Sequence, residues 1–187
     1  MITIFDYGAG NLRSVQNTLA ELGCEYVLTN SPGGLRSATR ILLPGVGHFG
    51  QMMRALDTLQ VRGPLLERIR AGVPFFGICL GMQALFEGSE EAPEIPGLGL
   101  YPGAVRRFPT GARVPHMGWN QLEPDGRHVY FAHSYYVPHC PQTSAACTYG
   151  DTRFTAMIHS GNVHGVQFHP EKSGPVGLAI VRDFLAC

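Results

Sequence analysis

The first half of the chain alternates short apolar runs with segments whose apolar residues recur at helical spacing. A run as short as Phe75 to Ile78 is typical of a buried strand, whereas Leu12, Val15 and Leu19 mark one face of a helix. Strands that alternate with helices predict a parallel sheet covered by helices on both faces. Strands are predicted over Ile2 to Asp6, Glu25 to Leu28, Arg40 to Leu43 and Phe75 to Ile78, and further helices over Met52 to Gln60 and Pro64 to Arg70.

The second half has a different pattern, richer in glycine and proline and with shorter strands. Strand-like runs lie between Gly97 and Asn120 and over Val129 to Val137. Thr155 to Ile158 and Val163 to Phe168 flank a Ser-Gly-Asn turn, which is typical of a hairpin, and Pro175 opens a final helix. Because no repeat or linker divides the chain, we expect one domain over residues 1–187, with an α/β fold and a doubly wound, mostly parallel central sheet flanked by helices.

A cysteine lies where the strand Phe75 to Ile78 turns into a helix-like segment that continues through Leu85 and Phe86. The turn has glycine on both sides of Cys79, in a Gly-x-Cys-x-Gly pattern. A nucleophile in such a strand–turn–helix is the geometry of a nucleophile elbow, where the turn is tight enough to require glycine. The free N–H groups that open a helix favour a thiolate. Cys79 is therefore a candidate nucleophile, although a cysteine on an apolar strand is also typical of a small buried side chain.

A second motif, His169-Pro170-Glu171, follows the run Val163 to Phe168, so that His169 is predicted at the end of a strand. Pro170 disfavours helical geometry at His169. Residues i and i+2 of an extended chain share one side, which lets Glu171 reach the imidazole. A carboxylate there would fix the tautomer of the base and leave its other nitrogen for Cys79. The two motifs together predict acyl transfer through a thioester.

The composition limits the partners that the chain could bind and the cellular compartment in which it could act. Fourteen basic residues balance fourteen acidic ones, so no nucleic-acid or anionic-membrane surface is indicated. Five cysteines without a Cys-x-x-Cys pattern fit neither a disulfide framework nor a zinc site, and we expect no metal. The sequence predicts neither a signal peptide nor a membrane span. A thiolate nucleophile favours the reducing cytoplasm.

These motifs resemble those of the class I (triad) glutamine amidotransferases, in Gly77-Ile78-Cys79-Leu80-Gly81-Met82-Gln83 and in His169-Pro170-Glu171. The segments Leu43 to Gly50 and Pro115 to Asn120 resemble, within that superfamily, the glutaminase subunits of imidazole glycerol phosphate synthase. The likeness extends over nearly the whole chain. It implies a flavodoxin-like amidotransferase fold, a Cys79-His169-Glu171 triad that hydrolyses L-glutamine, and no cofactor.

The resemblance also implies a partner. Such a subunit forms a heterodimer with a (β/α)₈-barrel cyclase (synthase) subunit and passes ammonia to it. The cyclase then forms imidazole glycerol phosphate and an aminoimidazole carboxamide ribonucleotide, a step of histidine biosynthesis. Trp119, in a stretch predicted to be a loop, is either a core residue or an interface anchor. The resemblance favours an interface with the cyclase formed by Asn11, Trp119, Tyr130 and Lys172.

Further site residues come from the same resemblance. The turn Gly45, Val46 and Gly47 resembles an oxyanion strand whose N–H groups would face Cys79, although glycines after a strand are also typical of an ordinary turn. Glu91 suits a substrate ammonium group, but it lies in an acidic run from Glu87 to Glu94 that could be solvated. The residues implied for glutamine binding are Gly47, Gln83, Glu91, His133, Ser134 and Tyr135.

Three alternatives stay open at this point. The chain could be the glutaminase of another synthase, such as one for pyridoxal phosphate or anthranilate, although Pro115 to Asn120 argues against this. It could be a hydrolase of free γ-glutamyl compounds that is fully active without a partner. It could also be an interaction module without catalytic activity, against which the intact Cys79, His169 and Glu171 argue.

Overall fold

The computed structural model of the protein describes residues 1–8 and 12–187. The strands in chain order are β1 Ile2–Phe5, β2 Tyr26–Thr29, β3 Ile41–Gly45, β4 Phe75–Cys79, β5 Phe86–Ser89, β6 Tyr101–Arg107, β7 His116–Gln121, β8 His128–His133, β9 Tyr135–Tyr136, β10 Thr143–Tyr149, β11 Thr152–Ser160 and β12 Val163–Val166. The helices are α1 Leu12–Glu21, α2 Pro32–Ser37, α3 Phe49–Thr58, α4 Arg62–Arg70, α5 Leu80–Gln83 and α6 Gly174–Leu185, and a 3-10 turn spans Pro170–Lys172.

Seven strands form the central sheet, in the order β10-β11-β12-β4-β3-β1-β2. The five strands from β12 to β2 are parallel, and β10 and β11 extend the sheet antiparallel. Gly45 pairs with Cys79 and Val166 pairs with Ile78, so the carboxyl ends of β3, β4 and β12 are neighbours. Open α/β sheets bind ligands at this edge. The predicted mostly parallel α/β fold is confirmed.

Alternate residues of the central strands enter two separate hydrophobic cores. In β4, Phe75 packs into the core on one face and Phe76 into the core on the other, and Leu43 and Leu42 of β3 divide in the same way. Apolar residues of α2, α3 and α4 cover the first face, and those of α1 and α6 cover the second. This arrangement explains why the parallel strands are continuous apolar runs, since both of their faces are buried.

Two smaller sheets lie outside the central one: β5-β6-β9, and a ribbon in which β7 pairs antiparallel with β8. The ribbon is bonded to the segment that follows β12, because the His169 N–H donates to the Tyr130 carbonyl at 2.9 Å. The Tyr130 N–H in turn donates to the Ser173 hydroxyl at 3.0 Å. The ribbon therefore supports the turn that carries the His-Pro-Glu motif.

Several predicted boundaries are wrong. Phe86 begins strand β5, opposite Tyr101, instead of continuing the helix after Cys79, which ends at Gln83. Trp119 lies in a strand and not in a loop. The strand before His169 ends at Val166. Helix α2 and strand β10 were not predicted, because Pro-Gly-Gly at the start of the helix and the small polar residues of the strand hide the usual periodicity.

Candidate active site

Cys79 ends β4 and precedes α5, in a conformation that ordinary residues avoid. Its φ is 53° and its ψ is −108°, which is a strained backbone for a residue with a side chain. The thiol is largely buried, yet it faces the cavity described below. This is the strand–turn–helix that the sequence predicts, and the strain turns the side chain out of the strand.

Three glycines allow the close approach of β3, β4 and α5 at this turn. A Cβ at Gly81 would lie 1.9 Å from the Leu43 carbonyl oxygen, and one at Gly77 would lie 2.6 Å from the Gly81 carbonyl oxygen. A Cβ at Gly45 would lie 2.7 Å from the Gly81 backbone nitrogen. Because these neighbours are backbone atoms that cannot move aside, the elbow accepts no side chain at any of the three positions.

The imidazole of His169 and the carboxylate of Glu171 form a buried pair. His169 Nδ1 lies 2.9 Å from Glu171 Oε1, and the two side chains are 5% and 3% exposed. The contact agrees with the sequence prediction, but its geometric reason differs, because Glu171 lies in the 3-10 turn and not in extended chain. With Nδ1 engaged, Nε2 is the nitrogen that hydrogen-bonds the Cys79 thiol. The structure thus brings the three predicted triad residues together.

The environment of His169 favours its charged form. Burial on its own lowers the pKa of this imidazole, but hydrogen bonds to Cys79 and Glu171 and the negative charges of both raise it to about 10. The imidazolium of His169 therefore persists at neutral pH beside the Cys79 sulfur. A charged imidazole in this position can donate a proton to a leaving group.

The backbone that follows β3 is hydrogen-bonded to a tyrosine side chain. The Val46 N–H donates to the Tyr7 hydroxyl at 3.1 Å, and that hydroxyl donates to the Val46 carbonyl, also at 3.1 Å. Burial raises the pKa of Tyr7 to about 12, the bond to Val46 opposes this rise, and the nearby Cys79 adds to it. Tyr7 therefore keeps its proton, and the Val46 amide that the sequence assigns to an oxyanion hole is occupied by a side chain.

A cavity of about 260 Å³ opens beside the thiol. Glu91 lines it and accepts the Phe49 N–H at 2.7 Å. It is half-buried, whereas Glu87, Glu90 and Glu94 of the same acidic run are exposed. The predicted glutamine-binding residues Gly47, Gln83, Glu91, His133, Ser134 and Tyr135 all line this cavity, as do Val46, Cys79 and His169.

Gln83 presents one defined polar atom to the cavity. Its Nε2 donates to the Tyr135 carbonyl and to Gln167 Oε1, both at 2.9 Å. A carbonyl only accepts, so the amide orientation is fixed and Nε2 has used both of its hydrogens. Oε1 is then the atom that Gln83 offers to a ligand, which makes it an acceptor for an N–H donor.

Three of the four predicted interface residues share one exposed surface, the aromatic patch, made by Trp119, Tyr130, Lys172 and Met117. Trp119 is 58% exposed and meets the Tyr130 ring edge-on at 6.2 Å. Lys172 Nζ lies 5.7 Å from the centre of the same ring. The patch is continuous with the cavity, because Met117 also lines it. The fourth residue, Asn11, lies outside the described residues.

Sequence reasoning missed three residues of this site: Tyr7, His116 and Gln167. Tyr7 contacts a residue 39 positions away, which no local pattern predicts. Gln167 and His116 lie within segments that carried the resemblance, so a polar residue amid apolar neighbours was the available signal. Within residues 1–8 and 12–187, no group of acidic, histidine or cysteine side chains could hold a metal ion. In the same residues, no helix has the length and apolar character needed to span a membrane.

Comparisons with known proteins agree with this geometry. A family model described as glutamine amidotransferase class-I matches residues 3–187. Imidazole glycerol phosphate synthase subunit HisH of Thermus thermophilus is 48% identical over 185 residues, covering 95% of this chain and 93% of its own. The subunit of that name from Methanothermobacter thermautotrophicus is 45% identical over 195 residues, covering 99% of this chain and 98% of its own.

A solved structure described as a crystal structure of glutamine amidotransferase matches the fold with a TM-score of 0.80. It covers 99% of this chain and 97% of that chain at 22% identity, so it supports the fold alone. The family model and the two subunits, by contrast, match in sequence over almost the full length. The chain therefore belongs to the class I glutamine amidotransferases, within the group of imidazole glycerol phosphate synthase HisH subunits.

Proposed function

We propose that this chain hydrolyses L-glutamine to glutamate and ammonia through a thioester on Cys79. The observation that carries the proposal is the buried Cys79-His169-Glu171 constellation at the edge of the cavity. The thiolate attacks the carboxamide carbon of glutamine and forms the S–C bond. The His169 imidazolium gives its proton to the departing nitrogen as the C–N bond breaks, and ammonia leaves. Neutral His169 then takes a proton from a water molecule, whose oxygen bonds the thioester carbon. The C–S bond breaks, its electron pair returns to Cys79 Sγ, and glutamate leaves.

The cavity offers complementary groups for the two ends of glutamine. The carboxylate of Glu91 suits the α-ammonium group, and the backbone around His133, Ser134 and Tyr135 suits the α-carboxylate. The acceptor Gln83 Oε1 suits an N–H of the substrate. These contacts would hold the carboxamide carbon against Cys79 Sγ.

The tetrahedral oxyanion requires N–H donors, for which Val46 and Gly47 are the candidates. The bond between Val46 and Tyr7 must first be released. The peptide that would turn joins Gly45 to Val46, and the next residue, Gly47, already has a left-handed φ of 94°. This requirement supports low glutaminase activity in the isolated chain and stimulation by a partner.

We propose the cyclase subunit of imidazole glycerol phosphate synthase as that partner, in a cytoplasmic heterodimer that channels ammonia for histidine biosynthesis. The aromatic patch supports this assignment, because tryptophan and tyrosine are enriched among the residues that anchor interfaces. The patch borders the cavity where ammonia would form. A docked cyclase would thus close the cavity against solvent and receive the ammonia directly.

The test measures glutamate production by the chain alone, with a cyclase subunit, and with the cyclase and its nucleotide ligand. We expect low activity alone, an increase of orders of magnitude in the complete mixture, and none with Cys79→Ala. Trp119→Ala should weaken the stimulation and leave thermal stability unchanged, since the side chain is exposed, and the exposed Glu94→Ala is its matched control. Full activity that is indifferent to the cyclase would instead identify a stand-alone γ-glutamyl hydrolase.

A further inference from the structure

A chain of buried polar side chains connects strand β7 with the nucleophile. His116, His133, Gln83 and Gln167 are all buried, and Gln167 is 0% exposed. Buried polar groups cost free energy unless their hydrogen bonds are made, so the partners of these four side chains define their orientation. The triad chemistry described above makes no use of His116, His133 or Gln167.

The direction of each bond in this chain follows from one carbonyl. The Tyr135 carbonyl accepts from His133 Nδ1 at 2.8 Å, so the proton of neutral His133 resides on Nδ1. His133 Nε2 is then an acceptor, and it accepts from His116 Nδ1 at 3.0 Å. The remaining nitrogen, His116 Nε2, accepts from Asn120 Nδ2 at 3.3 Å.

Both imidazoles are neutral, as this arrangement requires. Burial lowers the pKa of His116 to about 4. Burial also lowers the pKa of His133 to about 3, and the nearby His116 and His169 lower it further against the opposing bond to Tyr135. Near neutral pH, therefore, each ring carries one N–H and the pair has a single tautomeric pattern.

The same carbonyl orients the two glutamines. Because Gln83 Nε2 donates to the Tyr135 carbonyl, its second hydrogen reaches Gln167 Oε1 at 2.9 Å. With Oε1 of Gln167 turned toward Gln83, Nε2 is turned toward Cys79 Sγ, at a distance of 3.5 Å. The N–H of Gln167 therefore points at the sulfur, and no other orientation of its amide satisfies both neighbours.

We propose that Gln167 is a positioning residue for the nucleophile, which donates a hydrogen bond to Cys79 Sγ in an orientation fixed by Gln83 and the Tyr135 carbonyl. A donor aimed at the sulfur stabilises the thiolate more than the thiol, because hydrogen bonds to charged groups are the stronger ones. Gln167 lies two residues before His169, so one short segment holds both groups that face the sulfur. The inference rests on the proposed role of Cys79 as the nucleophile.

The experiment is alkylation of Cys79 by iodoacetamide at pH 7 in the full chain, without glutamine or partner, followed by mass spectrometry of the Cys79 peptide. Gln167→Leu removes the donor and keeps a side chain of similar size. We expect alkylation of Cys79 about tenfold slower than in the unchanged chain. The exposed Cys187 in the same sample should react at an unchanged rate, and thermal unfolding checks that the variant is folded.

A second variant tests the orientation and covers the case in which Gln167→Leu does not fold. Gln83→Met removes the N–H that holds Gln167 Oε1 and keeps a side chain of similar size. Because the Gln167 amide is then free to turn its oxygen toward the sulfur, we expect alkylation of Cys79 to slow several-fold, with Cys187 unchanged.

The outcomes separate this inference from the proposed function. A folded Gln167→Leu variant that is alkylated at the original rate would overturn the role of Gln167. An unchanged rate in a folded Gln83→Met variant would overturn the orienting role of Gln83. If Cys79 of the unchanged chain reacts no faster than Cys187, the assignment of the nucleophile fails, and the proposed function fails with it.

Discussion

Two neighbouring strand ends meet at the candidate active site, and only one of them has its groups arranged for the proposed reaction. After β4, Cys79 is paired with a charged His169, and the Glu171 carboxylate already orients the ring. After β3, the Val46 amide is bonded to the Tyr7 hydroxyl instead of facing the sulfur. In terms of the proposed mechanism, the triad is assembled in this structure, whereas the Val46 amide proposed as an oxyanion donor is bonded to Tyr7. Under that mechanism, control of activity would act on stabilisation of the transition state.

The two regions also differ in how tightly their backbones are packed. At the elbow after β4, a Cβ on Gly77 or Gly81 would collide with backbone atoms. At the end of β3, Gly45 shares the tight contact with Gly81, but a Cβ on Gly47 would meet no atom within 4 Å. Cys79 is therefore held by tight contacts, while open space beside the neighbouring segment begins at Gly47.

The largest expected effect comes from breaking the assembled region with Glu171→Gln. The variant keeps the shape of the side chain but removes the charge that stabilises the imidazolium, so we expect glutamine turnover with the partner to fall about 10²–10⁴-fold. Measured kcat is the readout, and the exposed Glu94→Gln is the matched control. A loss of less than tenfold would contradict the orienting role of Glu171.

The same variant has a signature in the pH profile. The bond and the charge of Glu171 both raise the pKa of His169, which lies at about 10. In the unchanged chain, activity that depends on the imidazolium should decline as the pH rises through about 10. Without the carboxylate this pKa falls, so the alkaline decline of Glu171→Gln should begin at a lower pH. A decline at the same pH in both proteins would mean that another group causes the alkaline loss of activity.

An intermediate effect is expected from Tyr7→Phe, which releases the segment after β3 from the tyrosine hydroxyl. The variant removes the hydroxyl that holds both the N–H and the C=O of Val46. Each lost bond is worth about 1 kcal/mol, so the partner-free rate of glutamine hydrolysis should rise about 5- to 30-fold. The stimulation by the partner should shrink correspondingly.

Tyr101→Phe is the control for Tyr7→Phe. Tyr101 is also a buried tyrosine, and its hydroxyl bonds Ser160 instead of a residue of the cavity. Its partner-free rate should match that of the unchanged chain. An unchanged or lower rate in Tyr7→Phe would mean that the hydroxyl supports the active arrangement and does not restrain it.

The smallest expected effect is a loss of stability at Gly47, and it tests the difference in packing between the two regions. Gly47→Ala introduces a side chain at φ 94° without a steric neighbour, so backbone strain alone should cost about 1–2 kcal/mol of stability. The midpoint of thermal unfolding should fall by about 2–8 °C. Gly63→Ala is the control, since Gly63 lies in helix α4 at an ordinary φ with equally open space, and there alanine should stabilise the helix. Equal midpoints in both variants would contradict the strain at Gly47.

The parts of the molecule that the sequence predicted are those encoded by neighbouring residues. The alternation of apolar runs and helical stripes specifies the parallel sheet, because both faces of β3 and β4 are buried. The elbow at Cys79 and the pair at His169 and Glu171 are contained in short consecutive motifs. Local spacing was therefore sufficient to identify these groups and to predict the contact within the second motif.

What the sequence did not predict depends on contacts between distant residues. Leu85 and Phe86 fit a helix as well as a strand, and pairing of Phe86 with Tyr101 decides for the strand. The bond from Tyr7 to Val46 and the bond from Gln167 to Cys79 join residues 39 and 88 positions apart. Such contacts exist only once the sheet is formed, so no pattern of spacing contains them.

The chain contains a single tryptophan, Trp119, and that residue lies in the aromatic patch. Excitation of tryptophan therefore produces emission from one location, where more than half of the side chain is in contact with water. Contact with another protein at the patch should shift the emission maximum to shorter wavelengths, whereas contact elsewhere should leave the maximum unchanged. The native chain thus carries its own optical probe of association, with no label attached.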